Sequence, residues 1–331
     1  MNRLVLTAIF FLTFAGLQAQ NRKFISNFSA YQHYYNPALT GNEGSMLKTY
    51  YRNQWTGFED APKTLFFSGE LDLADMRRTT DRTRHYQYRD AGSNYTGAQH
   101  AFGLIAFQER FGPTRETQVG LNYGTGVRLS QSLSLRFGTS LTYNNFRLDG
   151  NSLVVDNTGD PRYQHVLSNQ NSMGKFDFNL GFAITSANYY LGYAMQDITA
   201  GHFLKSGDSF MKDVYTRKHI AQAGFRTALD DQFGLILNGL YQYDEQLKGT
   251  VEGQAKVVYD ELLWAGAGYR NDRAFHVAAG LHYRQFRITY AYESPIKEAR
   301  SISRSTNEIG LAYTLRQLTS DRRGSTGQLF W

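Results

Sequence analysis

Apolar and polar residues alternate at every second position along most of this chain, in segments separated by turns. From Thr117 to Leu129, the residues Thr117, Val119, Leu121, Tyr123, Thr125, Val127 and Leu129 share one face. Gln118, Gly120, Asn122, Gly124, Gly126 and Arg128 share the other. Successive side chains of a strand point to opposite sides, so this spacing predicts a strand with one apolar and one small or polar face. Leu133, Leu135, Phe137, Thr139, Leu141 and Tyr143 repeat the pattern after a hairpin-length turn, Ser130-Gln131-Ser132. Segments 176–184, 275–283 and 308–315 follow the same rule. Weaker segments begin at Leu47, Lys63, His100, Tyr189, His219, Phe233, Val251, Leu263 and Phe286. The total is about 14 strands, an even number of the kind found in single-chain bacterial barrels.

The strongest runs reach about 11–13 residues, whereas globular strands average about 5–6 and tilted membrane strands about 9–11. A soluble sandwich would show the same alternation with its apolar face inward. Strand length, a Gly-rich opposite face that carries arginine, and the start of the chain all favour a membrane barrel instead. Arg3 precedes an apolar run from Leu4 to Leu17, followed by Gln18-Ala19-Gln20 with the small Ala19 at a cleavage position. That run falls short of the roughly 20 residues a transmembrane helix needs. Residues 1–19 therefore read as a signal peptide rather than an uncleaved anchor. The expected fold is all-β: a single transmembrane antiparallel β-barrel of the outer-membrane type over residues 46–316. Residues 20–45 precede it as a periplasmic or lumen-plugging segment, and 317–331 follow as a C-terminal tail.

Composition adjusts this picture only slightly. Tyr and Phe at 23 each, with 31 Gly and 5 Pro, suit strands and interfacial aromatics. The absence of Cys excludes a cysteine-linked lipid anchor and a disulfide-stapled fold. Mean hydropathy of −0.48 is that of a soluble chain, yet lumen-facing polar residues bring a membrane barrel to the same value. A net charge of +6 suits anionic lipid or an acidic partner and does not by itself point to nucleic acid.

No catalytic or metal-binding motif emerges, and no cofactor is expected. His276 and His282 share a strand face but lie about 20 Å apart, too far to chelate one ion. A Ser–His pair of a lipid hydrolase on the outer wall would be recognised by geometry and not by sequence position, so lipid hydrolysis is the third reading. Glu70, Asp72, Arg128, Arg136 and Arg284 occupy polar positions. They read first as ion pairs stiffening the lumen and second as a charged constriction that selects a solute. Short connections at 130–132, 186–188, 230–231 and 271–273 read as periplasmic turns. Long polar ones at 75–99, 147–174, 197–217 and 293–306 read as extracellular loops.

Two stretches remain. Tyr34-Tyr35-Asn36-Pro37-Ala38-Leu39-Thr40-Gly41 contains a backbone-restricting Asn-Pro turn. Tyr51-Arg52-Asn53-Gln54-Trp55 follows, then Ala61-Pro62-Lys63-Thr64. On residues alone this is a strand end with a turn, or a docking surface. Asn36-Pro37-Ala38 with Gly41, the Tyr51 to Trp55 run, and Pro62-Lys63-Thr64 together resemble the N-terminal signature of the PorP/SprF family. Asn307-Glu308-Ile309-Gly310-Leu311 resembles its closing strand, and the middle of the chain matches in strand pattern.

The resemblance implies an outer-membrane barrel of the type IX secretion system, without enzymatic activity. It would dock a cargo protein bearing a C-terminal sorting domain, such as a surface adhesin of gliding motility, or a secretion component. The partners it implies are that cargo, type IX components and outer-membrane lipid, with no nucleic acid. The motif residues Asn36, Pro37, Ala38, Gly41, Tyr51, Arg52, Asn53, Gln54, Trp55, Pro62, Lys63 and Thr64 would then serve fold or docking. The alternative function is a small-solute or hydrophobic-ligand channel. A barrel of about 14 strands lies between filled 8-stranded and open 16–18-stranded ones, too narrow for a folded protein, so docking suits the physics better than conduction.

Overall fold

A computed structural model describes residues 23–77, 98–130, 132–153, 156–157, 159–161, 164, 167, 171–200, 202, 204–207, 216–245, 249–296 and 304–315. The expected signal peptide and the 317–331 tail lie outside these residues, as do large parts of the long connections. Each alternating segment forms a strand: β1 (Met46–Asn53), β2 (Lys63–Asp72), β3 (Gln99–Phe111), β4 (Thr114–Arg128) and β5 (Ser134–Leu148). Then come β6 (Ser172–Thr185), β7 (Tyr189–Gln196), the four-residue β8 (Leu204–Gly207), β9 (Lys218–Ala228) and β10 (Phe233–Asp244). The last are β11 (Thr250–Tyr259), β12 (Leu263–Arg270), β13 (Ala274–Tyr283), β14 (Phe286–Pro295) and β15 (Thr306–Thr314).

Fourteen of these close into one antiparallel barrel, β15 pairing with β1. The exception, β8, extends the wall locally. It pairs with Met173–Phe176 of β6, beyond the stretch Leu180–Thr185 that pairs with β7. Among the described residues no helix is long and apolar enough to cross a membrane, and the strands do so instead.

The barrel is inverted relative to a soluble protein. Along β11, Val251, Val257 and Tyr259 are exposed, while Glu252, Gln254 and Lys256 are buried. The same inversion recurs along β2, where Leu65, Phe67 and Leu71 face out and Thr64, Ser68, Glu70 and Asp72 face in. Exposed Leu, Phe, Tyr, Val and Ile around the whole wall form a surface that is stable only against hydrocarbon.

Strand order assigns every connection to one of two ends. At the end where β1 begins and β15 finishes lie the short connections 129–133, 186–188, 229–232, 260–262 and 284–285. The opposite end carries 54–62, 149–171, 197–217, 245–249 and 296–305, with tight turns at 112–113 and 271–273. These are called the turn end and the loop end. Two expectations are corrected here. The 75–99 connection joins β2 to β3 and so opens at the turn end, opposite the long connections that follow β5 and β7. The 271–273 turn joins β12 to β13 and lies at the loop end. In a closed antiparallel barrel, the position of a hairpin in the strand order decides its side, and its length does not.

Residues 23–45 run through the lumen from the loop end to the turn end. Lys23 contacts Glu109 and Glu116 near the loop-end limits of β3 and β4. At the other extreme Ser45 donates from its backbone to Asp75, 2.9 Å away, and accepts from the Leu315 amide. Between them lie a 3-10 turn (Phe28–Tyr31), one helical turn α1 (Gln32–Tyr35) and a second 3-10 turn (Pro37–Leu39). Ile25, Phe28, Tyr31 and Tyr35 pack against inward-facing Tyr50, Phe66, Ile105, Phe107, Ile220 and Leu240. The lumen thus holds its own apolar core.

Candidate functional site

The first half of the motif is the part of the lumen segment nearest the wall. Asn36 is completely buried and caps the turn that follows it, its Oδ1 accepting from Ala38 N at 2.9 Å. Its Nδ2 donates to the Phe182 carbonyl across the lumen at 3.1 Å. This contact requires glycine in the wall. A Cβ on Gly181 would lie 2.0 Å from Asn36 Oδ1, and one on Gly138 would lie 2.2 Å from the Pro37 carbonyl carbon. Arg136 of β5 donates Nε to the Ala38 carbonyl at 2.8 Å and Nη2 to the Thr40 carbonyl at 2.7 Å. Gly41, at φ +70°, donates its amide to Glu70 at 2.8 Å. The same carboxylate meets Lys48 at 2.9 Å and His33 at 3.1 Å.

The second half of the motif, in the β1–β2 hairpin at the loop end, divides by strand parity. Arg52 and Thr64 face inward and are buried. Arg52 donates to Ser26 Oγ at 2.6 Å, Glu308 at 3.1 Å and Glu293 at 3.0 Å. Thr64 donates to Glu109, the partner of Lys23. Burial alone would push the Lys23 ammonium down, but Glu116 and Glu109 outweigh it and hold it above the ordinary lysine value.

Tyr51 and Lys63 face outward. Asn53 pairs with both Lys63 and Asn307, and Gln54 N donates to the Pro62 carbonyl at 2.9 Å, closing the hairpin. Trp55 sits at φ 49° and makes edge contacts with Phe58 and Phe111. Thr56 N donates to the Ser305 carbonyl, and Asn307 donates to Thr56 Oγ1, so the hairpin is tied to the segment entering β15.

Of the charged residues singled out from sequence, Glu70 and Arg136 hold the lumen segment, and Asp72 is buried with its amide donating to Ser45. Arg128 and Arg284 lie elsewhere. Both are exposed, at the strand end and in the hairpin of the turn end. The densest cluster includes residues that motif reasoning passed over. Arg270 makes a bidentate pair with Glu252 at 2.9 and 3.0 Å and reaches Glu293 at 3.2 Å. Lys256 donates to Ser29 and lies over the Trp264 ring. Their signal was present: charges at inward parity in strands whose other face is apolar. A pocket beside this cluster, lined by Asn27, Tyr31, Glu43, Lys48, Lys256 and Arg287, has a cavity volume of about 30 Å³, room for about one water.

The sequence pattern of the family described as "Type IX secretion system membrane protein PorP/SprF" matches residues 17–313, almost the whole chain. The chain belongs to the PorP/SprF family. Its outer-membrane location follows from that family together with the inverted barrel. No curated protein matches the chain. Among solved structures, the chain is similar to the toluene transporter TbuX of Ralstonia pickettii, with TM-score 0.45, 10% identity, and 84% and 91% of the two chains covered. It is also similar to a FadL homologue of Pseudomonas aeruginosa, with TM-score 0.44, 7% identity, and 82% and 90% covered. Omp33 of Acinetobacter baumannii has TM-score 0.43, 8% identity, and 82% and 96% covered. Scores this low carry no argument about what this barrel does.

Proposed function

We propose that this PorP/SprF barrel is a non-enzymatic docking protein of type IX secretion. It binds a cargo protein through the cargo's C-terminal sorting domain, or binds a secretion component, and supports export or surface attachment. The observation that carries this reading is the filled lumen: residues 23–45 occupy it from end to end and are tied to the wall by buried charges. A barrel occupied by its own chain acts through its surfaces.

Bacterial barrels keep short turns in the periplasm and longer loops outside, which favours the loop end as the external face. There the motif hairpin presents Phe58 at 56% exposure, and its Trp55 bridges to Phe111 at the end of β3, 45% exposed. Exposed aromatics on a braced hairpin are the kind of anchor a protein partner uses. The 112–113 turn and the segment entering β15 lie beside it, Gly112 N donating to the Asp60 carbonyl and Thr56 N to the Ser305 carbonyl.

Quantitative proteomics of surface and medium fractions, with and without the gene, tests the proposal. Selective loss of one or a few sorting-domain proteins is the expected result, and loss of all of them would mark a core component. An unchanged secreted set overturns the reading. The alternative, a small-solute or hydrophobic-ligand channel, requires residues 23–45 to leave the lumen. Single-channel conductance of the intact protein, with secretion unaffected, would favour it.

A further inference from the structure

The outer wall of the barrel carries almost no charge, and where it does the charges stand in one row. Outward positions along the fourteen barrel strands are Leu, Phe, Tyr, Val, Ile, Ala, Gly, Met and a few uncharged polar residues or His, with four exceptions. These are Lys63 on β2, Arg110 on β3, Arg115 on β4 and Arg147 on β5, all exposed. Register places them side by side, for Lys63 opposes Arg110, Arg110 opposes Arg115, and Arg115 opposes Arg147. At the spacing of neighbouring strands the row spans about 14 Å.

Like charges facing one another across strands are destabilising, so such a row needs anions. The strand carboxylates at this level, Glu109 and Glu116, face inward and are engaged by Lys23. The nearby loop carboxylates Glu59, Asp60 and Asp149 make no ion pair with the row among the described residues.

Depth identifies the partner. Directly below the row, toward the turn end, the outward residues are Leu65, Gln108, Thr117 and Asn145, and below those Phe67, Ala106, Val119 and Tyr143. From Tyr143 the apolar face of β5 continues through Leu141 and Phe137 to Leu135. At about 3.4 Å per residue and a strand tilt near 40°, that stretch is roughly 20 Å tall, close to the apolar band of a membrane barrel. The cations lie two outward positions, about 10 Å, above its upper edge. They stand at headgroup level, on the loop-end side.

We propose that Lys63, Arg110, Arg115 and Arg147 form a binding strip for the phosphates of the outer-leaflet glycolipid, lipid A. Two linked sugars with a phosphate at each end match a row of this length, and Gln108, Thr117 and Asn145 offer donors to the sugar and acyl carbonyl oxygens beneath. The strip rests on the orientation given above and not on the docking reading, so either stands if the other falls. Guanidinium groups suit it because their planar fork grips phosphate bidentately.

The test uses the full-length mature protein, purified in a zwitterionic detergent and titrated with bisphosphorylated lipid A under native mass spectrometry. Dephosphorylated lipid A, phosphatidylglycerol, inorganic phosphate and polyglutamate serve as separate probes. We expect bisphosphorylated lipid A to bind about tenfold or more tightly than the dephosphorylated form. We expect that preference to vanish in the variant K63Q/R110Q/R115Q/R147Q, whose changes lie wholly outside the folded lumen. Equal binding of the two lipid A forms, or an unchanged quadruple variant, overturns the proposal. So does a preference for phosphatidylglycerol, which would put the strip in the inner leaflet. Binding of polyglutamate or free phosphate in place of lipid A would assign the row to an acidic protein or to a soluble anion and overturns it as well.

Discussion

Arg52 lies at the centre of the motif and reports whether that motif serves the fold. Replacing it with Met keeps an unbranched apolar stem and removes three donated hydrogen bonds, to Ser26, Glu308 and Glu293. The two carboxylates are not equally affected. Glu293 retains Arg270 at 3.2 Å, so it stays paired. Glu308 retains only the backbone amides of Ser26 and Asn27, at 3.0 and 3.3 Å. Removing one partner of a buried ion pair costs about 3–5 kcal/mol because the other charge is left behind.

The cost should fall on the lumen segment and not on the wall, because the strands keep their ladders while Ser26 and Asn27 lose the group that organises them. With 1.4 kcal/mol per tenfold, Arg52→Met should speed amide exchange over residues 24–30 by about 100-fold or more. Exchange in β9 to β11 should stay unchanged. Hydrogen–deuterium exchange of the purified barrel measures both. The double variant Arg52→Met with Glu308→Gln removes the orphaned charge and should recover part of the protection, about 1–3 kcal/mol of coupling. Exchange over 24–30 within threefold of the wild type in Arg52→Met would refute the argument. The motif arginine would then be free for another role.

Three further expectations follow from the same structure. Gly181→Val places a side chain where Asn36 Oδ1 stands, so the folded form should lose about 1–3 kcal/mol, seen as a lower melting temperature of the heat-modifiable gel band, with Gly239→Ala, which meets open space, as the control. The natural chain has no Cys, so single cysteines report topology cleanly. Asp60→Cys and Asp272→Cys at the loop end should react with an impermeant maleimide on intact cells, and Asp231→Cys at the turn end only after permeabilisation; the reverse pattern would invert the orientation. Burial pushes the Asp197 carboxyl up, but Lys218 and Lys175 outweigh it and hold it below the ordinary Asp value of 3.8. Its contribution is therefore fully present above about pH 4 and lost as pH falls through the lower folded value; protection over 196–200, taken relative to intrinsic amide exchange at each pH, should fall below pH 4 in the wild type and stay level in Asp197→Asn.

The wall was legible in the sequence because a period of two needs no tertiary context. Each of the fourteen barrel strands, including weak ones such as Leu263 to Tyr269, could be placed from alternation alone, whereas the short β8 inside the 197–217 connection could not. What could not be read was which of two polar residues meets a partner. Arg136 and Arg284 look alike as polar-face arginines, but one holds the lumen segment and the other ends in a hairpin at φ 57°. The glycines of the inner face read as features of a watery lumen, while Gly138 and Gly181 are small because Asn36 and Pro37 press against them. That contact joins residues more than a hundred positions apart, and no local pattern encodes it. The side on which the 75–99 connection opens was, by contrast, available from counting strands.

Wall and lumen segment depend on each other, and this bears on what the barrel can do. Arg136 has two plug carbonyls, Glu70 has the Gly41 amide and His33, and Lys256 has Ser29. If residues 23–45 left, water would rehydrate those charges and offset part of the loss. It would offset none of the cost of exposing Ile25, Phe28, Tyr31 and Tyr35 together with the wall residues they cover, since fully burying each such side chain is worth about 1.5–3 kcal/mol. Conduction through this barrel therefore starts from an equilibrium strongly biased toward the filled state. Docking at the loop end starts from the filled state itself, and the ion pairs that retain the lumen segment also brace the hairpin carrying Trp55 and Phe58, so occupancy of the lumen and presentation of that surface are one structural condition.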